Sequence, residues 1–296
     1  MVIRELIAKG MALMEGIEYS NPHLESILLL SHLLKVDKNY IYLNGDEEVD
    51  IEVEEDFLRI INRRKEGYPL QYLLKEEEFM GLKFYLEEGV LIPRPETELL
   101  VDFIIKKINE DLITKEELIR AKGSRIKVLD LGVGSGAISL SIAKYCPQVF
   151  VYGVDISDKA IRIANINKER LGLENVQFFK GDLFKALEDN NIDEKFNIIA
   201  SNPPYIRRED ITSLQPEVRH EPVLALDGGL DGLDFYRRIS KDAKDYLLAD
   251  GILIYEIGYD QGQQVKDILS REGYRDIKIL KDYSANDRIV YGIRGR

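Results

Sequence analysis

Four consecutive residues, Asn202-Pro203-Pro204-Tyr205, place a side-chain amide, two prolines and a phenol directly after Ser201 and the apolar run Phe196-Asn197-Ile198-Ile199-Ala200. The run reads as a buried strand, so the four residues sit at its C-terminal end. Open parallel sheets bind their ligands outside those ends. Two prolines cannot continue the hydrogen bonding of a strand; they fix a stiff turn with free carbonyls. An amide and a proline carbonyl held on such a turn can grip a flat amide or amino group, and the ring of Tyr205 can stack on it. An isolated Asn-Pro ordinarily marks only the end of a strand, so residues upstream have to decide.

Upstream, Asp130-Leu131-Gly132-Val133-Gly134-Ser135-Gly136 joins a predicted strand over 126–131 to a predicted helix over 136–145. Its glycines permit a tight turn and let a ligand approach bare backbone. The spacing is neither the G-x-G-x-x-G of dinucleotide binders nor a P-loop, since no Gly-Lys-Ser/Thr follows. An acid directly before the turn repels a pyrophosphate and suits a cationic ligand such as S-adenosyl-L-methionine, which carries a sulfonium and an ammonium. Asp155 closes the next predicted strand, where an acid can accept hydrogen bonds from both ribose hydroxyls. It could also cap the helix predicted over 157–171; the glycine turn beside it favours the ribose. After a third strand, Asp182 is placed to meet an adenine amino group, and Leu183 or Phe184 to cover the ring. The plainer reading makes this an ordinary loop with Phe184 in the core.

Glycine turn, ribose acid, adenine loop and Asn-Pro-Pro-Tyr in this order resemble the class I adenosylmethionine-dependent methyltransferases with an Asn-Pro-Pro-Tyr motif. That resemblance implies methylation of a planar nitrogen: a nucleobase amino group or a glutamine amide. Such a nitrogen has a delocalised lone pair and is a poor nucleophile. Hydrogen bonds from its N–H groups to the Asn202 side-chain oxygen and the Pro203 carbonyl would orient it and stabilise its growing positive charge.

The elements that position these residues follow from the pattern. Strands at 126–131, 149–154, 176–179, 196–200 and 252–257 alternate with helices at 136–145, 157–171, 232–248 and 260–272. This is an α/β, Rossmann-like, mostly parallel sheet. Two closing strands, 274–280 and 288–293, make the last one antiparallel. Residues 1–74 show helical spacing instead, with Asn21-Pro22 a helix start. They form a small N-terminal helical domain, expected to recognise the substrate. Residues 75–93 alternate as a linking β-hairpin with Gly81 at its turn, and 94–296 are the methyltransferase domain. The stretch 109–125 is polar and reads as a loop or short helix.

The chain has 296 residues and a net charge of −12, which lacks the basic footprint of a general nucleic-acid binder. Its single cysteine, Cys146, allows no internal disulfide and no cysteine-based zinc cluster, and no metal is expected. Arg4, Glu5 and Lys9 spoil a signal-peptide core, and no apolar run reaches the length of a membrane span. A cytoplasmic, soluble monomer is expected.

Longer segments narrow the acceptor. Pro69-Leu70-Gln71-Tyr72, Glu78-Phe79-Met80-Gly81, Ile92-Pro93-Arg94-Pro95-Glu96-Thr97-Glu98, Val218-Arg219-His220-Glu221-Pro222 and Ala225-Leu226-Asp227-Gly228-Gly229, continuing as Asp231-Gly232-Leu233-Asp234-Phe235-Tyr236-Arg237, resemble the peptide-chain release factor glutamine methyltransferases over nearly the whole chain. The resemblance implies methylation of the side-chain amide of the glutamine in the Gly-Gly-Gln tip of class I release factors. S-adenosyl-L-methionine is then the donor and S-adenosyl-L-homocysteine the product. It places cofactor contacts at Gly132, Val133, Gly134, Ser135, Gly136, Asp155, Leu183 and Asn202, and the substrate clamp at Asn202, Pro203, Pro204 and Tyr205. Lys75 and Ala285 stand where glycine is common, and Leu183 where some members have an aromatic. Arg94 and Glu96 either border the site or cap the following helix. His220 and Glu221 read as loop-stabilising, and Glu256 as structural. A ribosomal-protein glutamine, or a DNA or RNA amino group, would be the acceptor on the other readings; an adenosine-binding module without activity would show a damaged clamp.

Overall fold

Helix signals in the first seventy residues have direct structural counterparts. Asn21 Oδ1 accepts from the Leu24 backbone N–H at 3.1 Å, and Pro22 opens α2 (Pro22–Leu34). Asp37 caps α3 (Lys38–Leu43) through the N–H groups of Asn39 and Tyr40. With α1 (Ile3–Leu13) and α4 (Ile51–Lys65) these helices bury Leu6, Leu29, Leu30, Phe57 and Ile61. A Cβ on Gly10 of α1 would lie 2.7 Å from Ser26 Oγ and 2.9 Å from Phe57 Cζ, so glycine is what lets α1 approach α2 and α4. The segment around Leu70 adds a short helix, α5 (Leu70–Leu74), which the spacing does not announce. It stops at Lys75 in the left-handed region, φ 55°. Ala285 is at φ 65°. Both positions where the family pattern favours glycine therefore hold a backbone conformation that costs an L-residue roughly 1–2 kcal/mol.

The structure, a computed structural model, describes residues 1–17, 19–112 and 126–295. The chain divides into two units: the helical one, residues 1–77 with 86–88 and 214–220, and a larger one, residues 78–85, 89–213 and 221–296. The helical unit is thus not one continuous stretch; it includes a segment that follows the Asn-Pro-Pro-Tyr loop in sequence.

Strands β1 (Glu76–Phe79) and β2 (Leu82–Tyr85) form the expected hairpin. Met80 (φ 53°) and Gly81 (φ 68°) give the two-residue turn whose twist suits a hairpin. In the larger unit, α6 (Thr97–Lys107) follows and runs into a π-turn at Ile108–Leu112. The remainder of the predicted loop, 113–125, lies outside the described residues.

The sheet contains β3 (Ile126–Leu131), β4 (Val149–Asp155), β5 (Val176–Lys180), β6 (Phe196–Ser201), β7 (Leu247–Glu256), β8 (Arg275–Lys281) and β9 (Asp287–Ile293). Their order is β5-β4-β3-β6-β7-β9-β8. β9 runs antiparallel to both its neighbours, and the other pairings are parallel. This is the α/β, mostly parallel sheet the alternation predicts, and the class I methyltransferase architecture that the resemblance implies. Helices α7 (Ala137–Tyr145), α8 (Asp158–Leu171), α9 (Lys185–Asp189), α10 (Asp234–Asp242) and α11 (Gly262–Arg271) complete the unit. One core cluster gathers Leu140, Ile142, Val151 and Ile254, a second Leu129, Ile199, Tyr236 and Leu253.

The boundary near residue 248 needs correction. The pattern predicts a helix over 232–248 and a strand from residue 252. The helix ends at Asp242, and β7 already begins at Leu247. Leu247 pairs with Phe196, and pairing resumes at Ile252 with Ile198. The residues between bulge outward, with Asp250 at φ 62°, so their polar pattern does not alternate as a regular strand would.

Candidate active site

Strand register assembles the site. In β3 and β6, Leu131 lies opposite Ser201, whose Oγ donates to the Leu131 carbonyl at 2.6 Å. Gly132 and Asn202 therefore leave the sheet side by side. The Gly132 N–H donates to Val154 O at 2.8 Å, which brings in the end of β4, and Gly181 N–H donates to Asp155 O at 2.9 Å, which brings in the loop after β5. Strand order reverses about β3, the place where such sheets open a crevice.

A cavity of about 300 Å³ lies there, lined among others by Gly132, Val133, Gly134, Ser135, Asp155, Asp182, Leu183, Asn202, Pro203 and Pro204. Two of the predicted site residues do not line it. Gly136 starts α7 at φ 88°, where a Cβ would fall 2.8 Å from Leu140 and 3.3 Å from Ala164; it shapes the turn from behind. Tyr205 stands behind the clamp instead of stacking in the cavity. Its ring joins the second core cluster, and its carbonyl accepts from Gln261 Nε2 at 3.0 Å. Burial, first, and the nearby Glu256 push its phenol up to about 12, so it stays neutral. Phe184 is core, stacked on Tyr246 at 4.6 Å. Leu183 is on the cavity wall at φ 50°.

At the front of the turn, a Cβ on Gly132 or Gly134 would meet no protein atom nearer than 3.9 Å; the space it would fill is the cavity itself. Asp155 Oδ2 accepts from the Gly134 N–H at 2.9 Å and Oδ1 from the Ser157 N–H at 2.8 Å. The cap of α8 is Ser157, not Asp155. Burial raises the Asp155 pKa, opposed by those backbone donors. Asn167 supports the turn from α8: its Nδ2 donates to Ser135 O at 2.9 Å and to Tyr85 O at 3.0 Å. Asp130 is fully buried under the turn. Ser139 Oγ donates to its Oδ2 at 2.5 Å while Oδ1 has no partner, and burial raises its pKa to about 7.

Asn202 Nδ2 donates to Thr97 Oγ1 at 3.3 Å, and Thr97 and Asn202 are the donors facing the buried carboxyl of Glu256. At the cavity wall Arg94 pairs with Glu221, which also accepts from the Ile92 N–H at 3.3 Å. Arg94 therefore borders the site, whereas Glu96 occupies the cap position of α6. His220 belongs to the helical unit, edge-on to Tyr68 at 5.3 Å. Asp182 Oδ2 is engaged by Arg238 at 2.6 Å, and Phe235 and Arg238 both line the cavity. Thr97, Asn167, Phe235, Arg238 and Gln261 are residues that sequence reasoning misses. Thr97 and Phe235 stand inside motifs it singles out, but the other three carry no local signal.

Behind the clamp, Ile206 N–H donates to Leu226 O at 2.9 Å and Gly228 N–H to Ile206 O at 2.8 Å. A Cβ on Gly228 would lie 2.7 Å from Tyr205 Cα, 2.8 Å from Pro204 O and 2.9 Å from Gly232 Cα, all backbone. Gly228→Ala is expected to shift the clamp, lowering kcat by about tenfold or more, with stability falling by about 1–3 kcal/mol from overpacking. Steady-state kinetics beside a denaturation curve check this; unchanged kcat would show that the clamp backbone tolerates displacement.

Known proteins resemble this chain along most of its length. The PrmC N-terminal domain family matches residues 5–74, and a methyltransferase domain family matches residues 122–241. A release factor glutamine methyltransferase of Clostridium acetobutylicum is 43% identical over 273 residues, covering 92% of this chain and 91% of the relative. That of Geobacter sulfurreducens is 41% identical over 285 residues, 96% of this chain and 93% of the relative. Among solved structures, the hMettl16 catalytic domain in complex with MAT2A 3′UTR hairpin 6 has a TM-score of 0.56 at 15% identity, covering 75% of this chain and 79% of that one, a likeness of fold alone. By matching such relatives along almost its full length, and both family domains in order, the chain belongs to the release factor glutamine methyltransferase family.

Proposed function

We propose that this chain transfers a methyl group from S-adenosyl-L-methionine to the side-chain amide nitrogen of the glutamine in the Gly-Gly-Gln motif of class I peptide-chain release factors, leaving S-adenosyl-L-homocysteine. The observation that carries the reading is Asn202 on the cavity wall beside the glycine turn. Its Nδ2 is committed to Thr97, so Oδ1 remains to accept from a substrate amide.

The cavity residues fit the cofactor. The space before Gly132 and Gly134 is open, and Asp155 at the end of β4 presents a carboxylate already ordered by two backbone donors. Gly132, Val133, Gly134 and Ser135 would hold the methionine part, Asp155 the ribose, and Asp182 and Leu183 the adenine. Gly136 acts through the shape of the turn. When bound, S-adenosylmethionine supplies a methyl group on a sulfonium, so the N–CH₃ bond forms as the S–CH₃ bond breaks and its electron pair stays on sulfur. Asn202 Oδ1 and Pro203 O accept the two N–H groups of the glutamine amide, which sets the nitrogen's direction and stabilises its growing positive charge. Pro204 and the Gln261-held carbonyl of Tyr205 keep the clamp stiff. A strong base before transfer is unnecessary, because the methylated nitrogen is acidic enough to lose its proton afterwards.

In this reading the N-terminal helical domain, 1–74, recognises the release factor, 75–93 links it, and 94–296 carries out the transfer. The enzyme works in the cytoplasm as a monomer, without nucleic acid; no helix among the described residues is long and apolar enough to cross a membrane.

The test incubates the protein with methyl-labelled cofactor and purified release factor, the same factor with Gln→Ala in its Gly-Gly-Gln motif, or DNA. Label is expected in the first alone. Label in DNA and not in the release factor overturns the proposal, and label persisting in the Gln→Ala factor moves the acceptor elsewhere.

A further inference from the structure

Glu256 ends β7 with only 1% of its surface exposed, and its Oε2 has no hydrogen-bond partner. A buried carboxyl without a directly bonded cation is costly, and an apolar residue of similar volume there would ordinarily be no worse for stability. Arg288, a cation that acts on it, is turned to Asp282 at 3.1 Å and to the Ile257 carbonyl. What Glu256 faces is the hydroxyl of Thr97 together with the amide of Asn202, two groups that lie 3.3 Å apart.

An asparagine amide has nearly the same shape with oxygen and nitrogen exchanged, so its partners decide which atom faces the cavity. Thr97 alone cannot decide, because a hydroxyl both donates and accepts. An ionised carboxylate only accepts. With Glu256 taking the Thr97 proton, Thr97 Oγ1 is left as an acceptor, and only Asn202 Nδ2 can satisfy it. Oδ1 is then the atom presented to a substrate N–H. The reversed amide would point its own N–H groups at those of the substrate.

Resting on the glutamine-methylation reading above, we propose that Glu256 is a positioning residue that acts together with Thr97 to fix the Asn202 amide with its oxygen toward the substrate. Protonating Glu256 would make it a donor, let Thr97 donate to Asn202 Oδ1, and turn the amide round. Burial raises this carboxyl to about 7, opposed by Thr97, Asn202 and Arg288 and aided by Glu96; Tyr205 and Tyr236 also face it and are neutral, their own pKa values raised. The fraction of correctly oriented clamp should therefore fall as the pH falls through about 7.

The experiment measures kcat across pH, and cofactor affinity by calorimetry, for the wild type, Glu256→Gln, Glu256→Leu, Thr97→Val and Thr97→Ser. Expected are an acid limb of wild-type kcat with a midpoint near 7 that flattens in Glu256→Gln. Losses of about tenfold or more in Glu256→Leu and Thr97→Val, with cofactor affinity within about threefold, should accompany it, and Thr97→Ser should restore activity. An acid limb unchanged in Glu256→Gln, wild-type kcat in Thr97→Val, or a loss of cofactor binding that matches the loss of kcat overturns the proposal. A wild type that labels no release factor sinks the glutamine reading itself, a separate result from equal activity of wild type and variants. Glu256→Leu removes a buried charge and is expected to fold; should it not, the Thr97 pair decides.

Discussion

Replacing Asn202 with alanine is expected to lower kcat by about 10²–10³-fold while cofactor affinity stays within about threefold. The size follows from what the side chain does. In the proposed clamp its oxygen supplies an acceptor in a partly buried site, aimed at an N–H that becomes more acidic as positive charge grows on nitrogen, so its contribution is larger in the transition state than in the ground state. Its contact with the cofactor space is secondary, because Gly132, Gly134 and Asp155 surround that space from the other strands. Single-turnover labelling of the release factor beside calorimetric titration separates the two. A loss of affinity as large as the loss of rate would make Asn202 chiefly a cofactor ligand. Combining Asn202→Ala with Thr97→Val should add little to Asn202→Ala alone, since Thr97 then has no amide to orient.

Arg64→Leu is expected to destabilise the helical unit by about 3–5 kcal/mol. Arg64, 1% exposed, holds Glu25 in a bidentate pair: Nε to Oε2 at 2.6 Å and Nη2 to Oε1 at 3.1 Å. Its remaining nitrogen, Nη1, reaches Glu217 at 2.7 Å. It thereby ties together α2, α4 and the 214–220 segment, all within one unit. Removing the guanidinium leaves Glu25, 6% exposed, as a buried carboxylate without its cation. The double change Glu25→Leu with Arg64→Leu removes both charges, and should recover most of the loss. Hydrogen exchange of α2 and α4 in the full chain reads the unit's stability directly. Protection in Arg64→Leu within about 0.5 kcal/mol of wild type would show that the site hydrates easily and that the pair is weakly coupled.

These residues differ in how visible they are in the chain. The clamp, the glycine turn and Asp155 each announce themselves, because each is a local event: a strand ending in a particular turn chemistry. Alternation of strands and helices likewise implies a parallel sheet, and parallel sheets concentrate their turns at one end, so even the gathering of the motifs is foreseeable. The cap at Asn21 and the hairpin turn at Gly81 are legible for the same reason.

Other features depend on residues far apart in sequence. Gly136 belongs to the glycine motif by pattern, yet only the approach of Leu140 and Ala164 shows that it faces away from the cavity. Tyr205 looks like a stacking ring until Gln261 and the second core cluster are seen to hold it behind the clamp. The bulge at the start of β7 exists because Leu247 and Ile252 must both meet β6, a demand no window of the chain displays. The 214–220 segment joins the helical unit through Arg64, a charge whose burial has no local signature.

The amino-acid sequence by itself determined the reaction class, because the motifs that hold a cofactor and grip an amide are short runs whose geometry is set by their own turns. Only the tertiary structure decided which way the amide of Asn202 is presented. In the proposed arrangement that orientation is set by Thr97, 105 residues away, and by Glu256 on the neighbouring strand, through hydrogen-bond polarity that exists only once the strands are side by side.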